Sequence, residues 1–96
     1  MKKVFHLYMK RELSEKRLYF IKETLTSFPI TVGDKISINP NEHYSEADIT
    51  VDDIVYFEHS DVLHIEMSNK EGWGLTKDEL IDNIEHWGFS FVNEVI

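Results

Sequence analysis

The stretch FEHSDVLHIEM, residues 57–67, gathers two histidines and two glutamates around a polar centre. His64 and Glu66 stand two apart, the spacing that puts two side chains on one face of a strand. A two-residue turn at Ser60-Asp61 would set His59 opposite Val62, Phe57 opposite His64 and Val55 opposite Glu66. All six then share a face. Ile54, Tyr56, Glu58, Leu63, Ile65 and Met67 take the other, which is the better core. Zinc needs at least three nitrogen or oxygen ligands converging at about 2.0–2.2 Å. His59 lies diagonally across the turn, and His6 or His43 reaches the pair only through tertiary packing. The chain has no H-E-x-x-H motif. The expectation is a half-exposed polar sheet face with no metal and no cofactor. A metal-binding or weakly hydrolytic site on His59, His64 and Glu66 is the alternative.

Other chemistry finds little support. No cysteine occurs, which excludes a thiol nucleophile, a disulfide framework and cysteine-ligated zinc. None of the seven serines sits in a G-x-S-x-G elbow. The four glycines, at 33, 72, 74 and 88, form neither a dinucleotide fingerprint nor a phosphate-binding loop. Neighbouring carboxylates such as Asp52-Asp53 and Asp78-Glu79 read as solvated pairs. The polar segment 39–48 lacks the ligand spacing of a calcium loop.

Charge is unevenly spread. The formal net charge is −8, yet residues 1–22 sum to +5 and residues 23–96 to −13. Lys10, Arg11, Lys16, Arg17 and Lys22 lie near Tyr8, Tyr19 and Phe20, a mixture that suits single-stranded nucleic acid. The acidic remainder would repel a phosphate backbone within a Debye length of about 8 Å. Nucleic acid is therefore the disfavoured partner for the basic 10–22 segment. No apolar run approaches the roughly 20 residues that span a bilayer. The opening MKKVFHLYMKRE has too short an apolar stretch for a secretory signal. The expected location is the cytoplasm, with no membrane partner.

These residues must be positioned by a single 96-residue domain, 1–96. Residues 4–9 alternate Phe5, Leu7, Met9 against Val4, His6, Tyr8, as a strand with one greasier face. Residues 18–28 fit a hairpin partner for that strand. A helix over 13–27 is the rival, because Leu18, Ile21, Leu25 and Phe28 also fit helical spacing. Residues 32–38 turn at Gly33-Asp34 into a short strand. Strands are expected over 49–59 and 61–67, then a loop over 68–74. Thr76 and Glu79 form a capping box, Leu80, Ile81, Ile84 and Trp87 make an apolar stripe, and Gly88 stands at the left-handed C-terminal position. The spacing predicts a helix over 77–87. Phe89, Phe91, Asn93 and Val95 then alternate in a final strand, buried in its first half. The fold class is α+β: a small, mainly antiparallel curled sheet of five or six strands, barrel-like in one version, covered by one C-terminal helix.

Two features suit partner binding. Asp78, Asp82 and Glu85 recur on the outer helix face. Trp73, between two glycines, is a side chain favoured at interfaces. The resulting expectation is a small acidic, non-enzymatic interaction domain that binds another, basic protein through Trp73, Asp78, Asp82 and Glu85. Inhibitor, immunity and antitoxin roles fit such a domain.

Overall fold

The computed structural model describes residues 2–25, 27, 29–38 and 49–96. Phe28 and the polar segment 39–48, with His43, lie outside the described residues. Six strands and one helix follow in the order β1 (Lys2–Lys10), β2 (Arg17–Thr24), β3 (Lys35–Ile36), β4 (Ile49–Phe57), β5 (Val62–Asn69), α1 (Lys77–His86) and β6 (Ser90–Val95). The strands form one mixed sheet, curled into a half-barrel, in the order β3-β4-β5-β1-β2-β6. The β1–β5 ladder is parallel and the other four are antiparallel.

Residues 18–28 resolve as strand, as far as Thr24. Lys10 pairs with Arg17 and Leu7 with Phe20, so the hairpin aligns the apolar sets of both strands. Tertiary pairing also overrides the helical spacing: Leu18 is buried but Leu25, which that spacing needs inside, is exposed. β6 runs antiparallel to β2 and therefore in the same direction as β5. The helix must cross β1 and β2 to connect them. It buries Leu80 and Ile84 in one core with Leu7, Met9, Leu18, Phe20, Ile65 and Met67.

Both helix ends are closed by local chemistry. The Thr76 hydroxyl accepts from the Glu79 N–H, and the Glu79 carboxylate accepts from the Thr76 N–H, at 3.2 and 3.3 Å. At the other end Gly88 has φ +97°. Its N–H reaches the Glu85 carbonyl, and the Phe89 N–H reaches the Ile84 carbonyl, at 3.0 and 3.3 Å. Those two bonds are the Schellman pattern. The helix ends at His86, because Trp87 is its C-cap rather than its last turn. Lys77 then pairs with Glu94 on β6 at 2.8 Å. That ion pair is the main reason the Glu94 carboxyl lies below its ordinary range.

Three expectations need correction. The β4–β5 connection is a four-residue turn, Glu58–Asp61, with Asp61 at φ +52° and its N–H bonded to the Glu58 carbonyl. Aspartate tolerates this left-handed conformation better than most residues. Phe57 therefore faces Val62, Val55 faces His64 and Asp53 faces Glu66. The slip is two residues, an even number, so the division into two faces survives. Next, a register shift in β6 between its Tyr19 and Phe20 partners breaks the alternation beginning at Phe89. Phe91 faces Phe20, Asn93 faces Tyr19 and Glu94 faces Leu18. Phe89 is buried, but Val92 lies open on this edge strand. Finally, β5 continues to Asn69 instead of yielding to loop at residue 68.

Beyond Asn69 the chain stays beside β1. The buried Asn69 amide accepts from the Lys10 N–H and donates to the Lys10 carbonyl, both at 2.8 Å. Trp73 and the Lys10–Glu12 backbone then exchange two further bonds, at 3.2 and 3.1 Å. A Cβ on Gly72 would stand 2.8 Å from the Arg11 carbonyl carbon and the Glu12 nitrogen. Glycine is needed there because the two backbones approach so closely.

Leu80→Ala and Ile84→Ala should each lower stability by about 2–5 kcal/mol in denaturant titrations, as truncation of buried aliphatic side chains does. Thr76→Ala should cost about 1 kcal/mol through the lost cap. Gly72→Ala should cost about 1–3 kcal/mol, because backbone rather than a flexible side chain must move. Unchanged midpoints for the two core variants would mean that α1 is not docked on the sheet.

Candidate functional site

The helix covers one side of the sheet and leaves the opposite face without a covering element among the described residues. Strand alternation sends Val4, His6 and Tyr8 of β1 to this open face. β2 adds Tyr19 and Ile21, β5 adds His64, Glu66 and Ser68, and β4 adds Asp53, Val55 and Phe57. A solvated sheet face ordinarily presents polar side chains. Here an unbroken strip of rings crosses four strands.

The strip starts at Phe57, whose ring centroid lies 4.4 Å from that of His64. The His6 ring centroid lies 5.1 Å from that of His64 and 5.8 Å from that of Tyr19, with the ring planes nearly parallel. Tyr19 stacks on Tyr8 at 4.9 Å, and the Arg17 guanidinium closes the row 4.9 Å above the Tyr8 ring. Hydrogen bonds run along its centre. The Tyr19 hydroxyl lies 2.5 Å from His6 Nδ1, and His6 Nε2 lies 2.8 Å from His64 Nδ1. With both imidazoles neutral, the protons fit in either sense. Tyr19 O–H donates to His6 and His6 N–H to His64, or both bonds run in reverse. The pair can also hold one extra proton between its rings. A second would set two N–H groups against each other.

The electrostatics favour a neutral His6 and a neutral Tyr19. Burial holds the pKa of His6 below its ordinary value of 6.5; His64 adds to the shift and Glu66 opposes it. Burial also raises the Tyr19 phenol, with smaller contributions from Tyr8 and Glu66. Glu66 is the direct cross-strand neighbour of His6. Yet among the described residues no three His, Asp or Glu side chains converge as metal ligands.

The structure unites His64 and Glu66 on one face but leaves His59 apart, in the exposed Glu58–Asp61 turn. The partner of His64 is His6, brought across by the parallel β1–β5 ladder. Alternation in VFHLYM already put His6 on the less apolar face. No local signal announced a parallel pairing of residues 60 positions apart. Trp73 is half-buried against the core and meets Trp87 edge-on, with centroids 6.3 Å apart. Asp78, Asp82 and Glu85 are exposed on α1, on the far side of the sheet from the ring strip. The Glu85 carboxylate accepts from the Phe91 N–H at 3.5 Å. The basic segment divides: Arg17 and Lys10 share the open face, whereas Lys22 lies on the core face with its ammonium 5.3 Å from the Phe89 ring. Arg11 turns toward Glu94 at 3.9 Å. Phe20 is inside the core. No protein-family model matches this chain, and no curated protein or solved structure shows significant similarity to it. Among the described residues, no helix is long and apolar enough to cross a membrane.

The lowered pKa of His6 sets a direction for stability. The folded state holds less proton than the unfolded chain in the window just below pH 6.5. The contribution is full above that value and is lost as the pH falls through the window. Between about pH 7.5 and pH 5.5 the denaturant midpoint should fall, and it should fall less in His6→Gln. Equal slopes for the two proteins would separate His6 from the acid sensitivity.

Proposed function

We propose that this chain is a non-enzymatic interaction domain that binds a basic protein through the open face of its sheet. The observation that carries the reading is the strip from Phe57 through His64, His6 and Tyr19 to Tyr8. Aromatic rings supply large contact area at low conformational cost, and they are enriched where proteins meet. An apolar or aromatic patch left in water and rimmed by polar groups marks an interaction site more often than it marks a core. Asp53 and Glu66 flank the strip and supply charge for a basic partner. The two tyrosines and two histidines add hydroxyl and imidazole groups that can exchange hydrogen bonds with it.

The helix stripe is a second surface for the same class of partner. Asp78 and Asp82 are exposed and have no counter-ion among the described residues. Glu85 is the poorer probe, because its carboxylate also meets the β6 backbone. The stripe and the strip lie on opposite sides of the sheet, so substitutions separate them.

Affinity capture from the source cell, followed by kinetics with the captured partner, tests the reading. Tyr8→Ser with Phe57→Ser should weaken binding by about 2 kcal/mol or more, the scale of an interface hot spot. Asp53→Lys with Glu66→Lys should slow association and flatten its salt dependence, because complementary charge acts mainly on encounter. Asp78→Lys with Asp82→Lys should leave both nearly unchanged. The reverse pattern would move the interface to the helix. Indifference to all three double variants would remove both surfaces.

A further inference from the structure

β3 is only two residues long and pairs with Ile49 and Thr50. One step further, Gly33 donates to the Val51 carbonyl and the Asp34 carbonyl accepts from the Val51 N–H, both at 2.9 Å. From Asp52 to Phe57 no described residue pairs with the outer side of β4. The segment Ile54–Phe57 is β-branched and aromatic throughout, a composition that suits a strand. Val55, Tyr56 and Phe57 are 43%, 48% and 51% exposed. Long apolar edges of this kind recruit other strands, and proteins ordinarily blunt them.

The protections on this edge are specific. A register shift between Val51 and Asp53 makes Asp52 the extra residue of a bulge. The Asp53 carboxylate accepts from the Ile54 N–H at 2.9 Å, occupying that donor with a short side chain. Glu58 closes the segment at its other end. Asp52 is neutralised by Lys70, but Asp53 and Glu58 have no counter-ion among the described residues. The apolar run is therefore bracketed by uncompensated carboxylates.

Those brackets decide which strand fits. If a second copy paired antiparallel about Val55, Asp52 of one chain, beside its uncompensated Asp53, would face Glu58 of the other. Like charges directly opposite destabilise a strand pair. A strand with basic residues at both ends of an apolar centre meets opposite charges instead. We propose that the outer edge of β4, Asp53 to Phe57, accepts an extended, basic-flanked segment of another protein as a seventh strand. The added strand would alternate its side chains between Val55 and Phe57 on the open face and Ile54 and Tyr56 on the other. Main-chain bonds supply affinity in this mode, and flanking side chains supply selectivity. The proposal rests on the reading of this chain as a protein-binding domain and names the form of the partner.

The probe is a fluorescent blocked decapeptide with an alternating valine and threonine centre and two lysines at each end. Fluorescence anisotropy at low salt should show saturable binding to the full chain with a Kd below about 1 mM. The same peptide with alternate amides N-methylated should bind at least about ten-fold more weakly, because strand pairing needs those N–H groups. A control with glutamate in place of lysine should not bind. With Asp53→Lys and Glu58→Lys in the protein the preference should invert: the glutamate peptide binds and the lysine peptide is lost. These substitutions lie on the surface, and circular dichroism verifies the fold. Absence of saturable binding, indifference to N-methylation, or an uninverted preference overturns the proposal. A stable wild-type dimer in sedimentation that Val55→Lys dissociates would also overturn it, assigning the edge to a second copy. A captured partner that depends on Tyr8 and Phe57 but is not displaced by the lysine peptide would leave the open-face reading standing and remove this one.

Discussion

Parallel pairing of β1 with β5 is the constraint on which the rest of this molecule depends. The two strands are separated by half the chain, and their ladder joins the β1–β2 hairpin to the β4–β5 hairpin. It lines up Leu7 with Met67 on the covered face and His6 with Glu66 on the open one. Without it the sheet would fall into two three-stranded pieces, β3-β4-β5 and β1-β2-β6, and the single core would be divided between them. Past the strand ends the association continues through Asn69, Gly72 and Trp73. Asn69 satisfies the Lys10 backbone from inside the fold, where an unmet donor and acceptor would be costly. Gly72 allows the backbones to touch.

The helix depends on that ladder in turn. β5 and β6 run in the same direction with β1 and β2 between them, so the connection must cross the sheet. Parallel strands in one sheet cannot be joined by a tight turn, and a helix is the usual bridge. α1 meets the requirement with local signals at both ends and two buried side chains at its middle. Its single-sided placement makes the two faces of the sheet unequal. One face becomes core, and among the described residues no element covers the other, where the rings stay partly exposed.

The open face and the β4 edge meet at Val55 and Phe57, which belong to both. A protein that bound along the edge would extend the sheet, and its side chains could continue the ring strip beyond Phe57. The imidazole pair sits at the centre of this surface, where His6 is held by His64 and Tyr19 and His64 lies between His6 and Phe57. Contact that removed water from His6 would strengthen its preference for the neutral form, since burial disfavours charge. Acidic side chains at Asp53, Glu58 and Glu66 border the same region, which couples the surface to the charge of whatever approaches.

Much of the fold was legible because it is written in short-range chemistry. The capping box, the apolar stripe of α1 and Gly88 depend on residues within a few positions of one another, so the helix could be read to within one residue. Strand alternation likewise separated His64 and Glu66 from Ile65 and Met67, and that division survived a two-residue slip in the turn. The slip itself was not legible, because Asp61 accepts a left-handed backbone that its identity permits without demanding. The broken alternation of β6 was hidden too, since a bulge is set by the partner strand. Above all, sequence placed His6 on a face but could not place that face beside His64. Parallel pairing across 60 residues carries no local signature; it is decided by which arrangement buries the most apolar surface at once. Sequence by itself determined the helix with its caps and the faces of β1 and β5. Only the tertiary structure decided which faces became neighbours, and so turned two separated histidines and two tyrosines into one hydrogen-bonded, stacked surface.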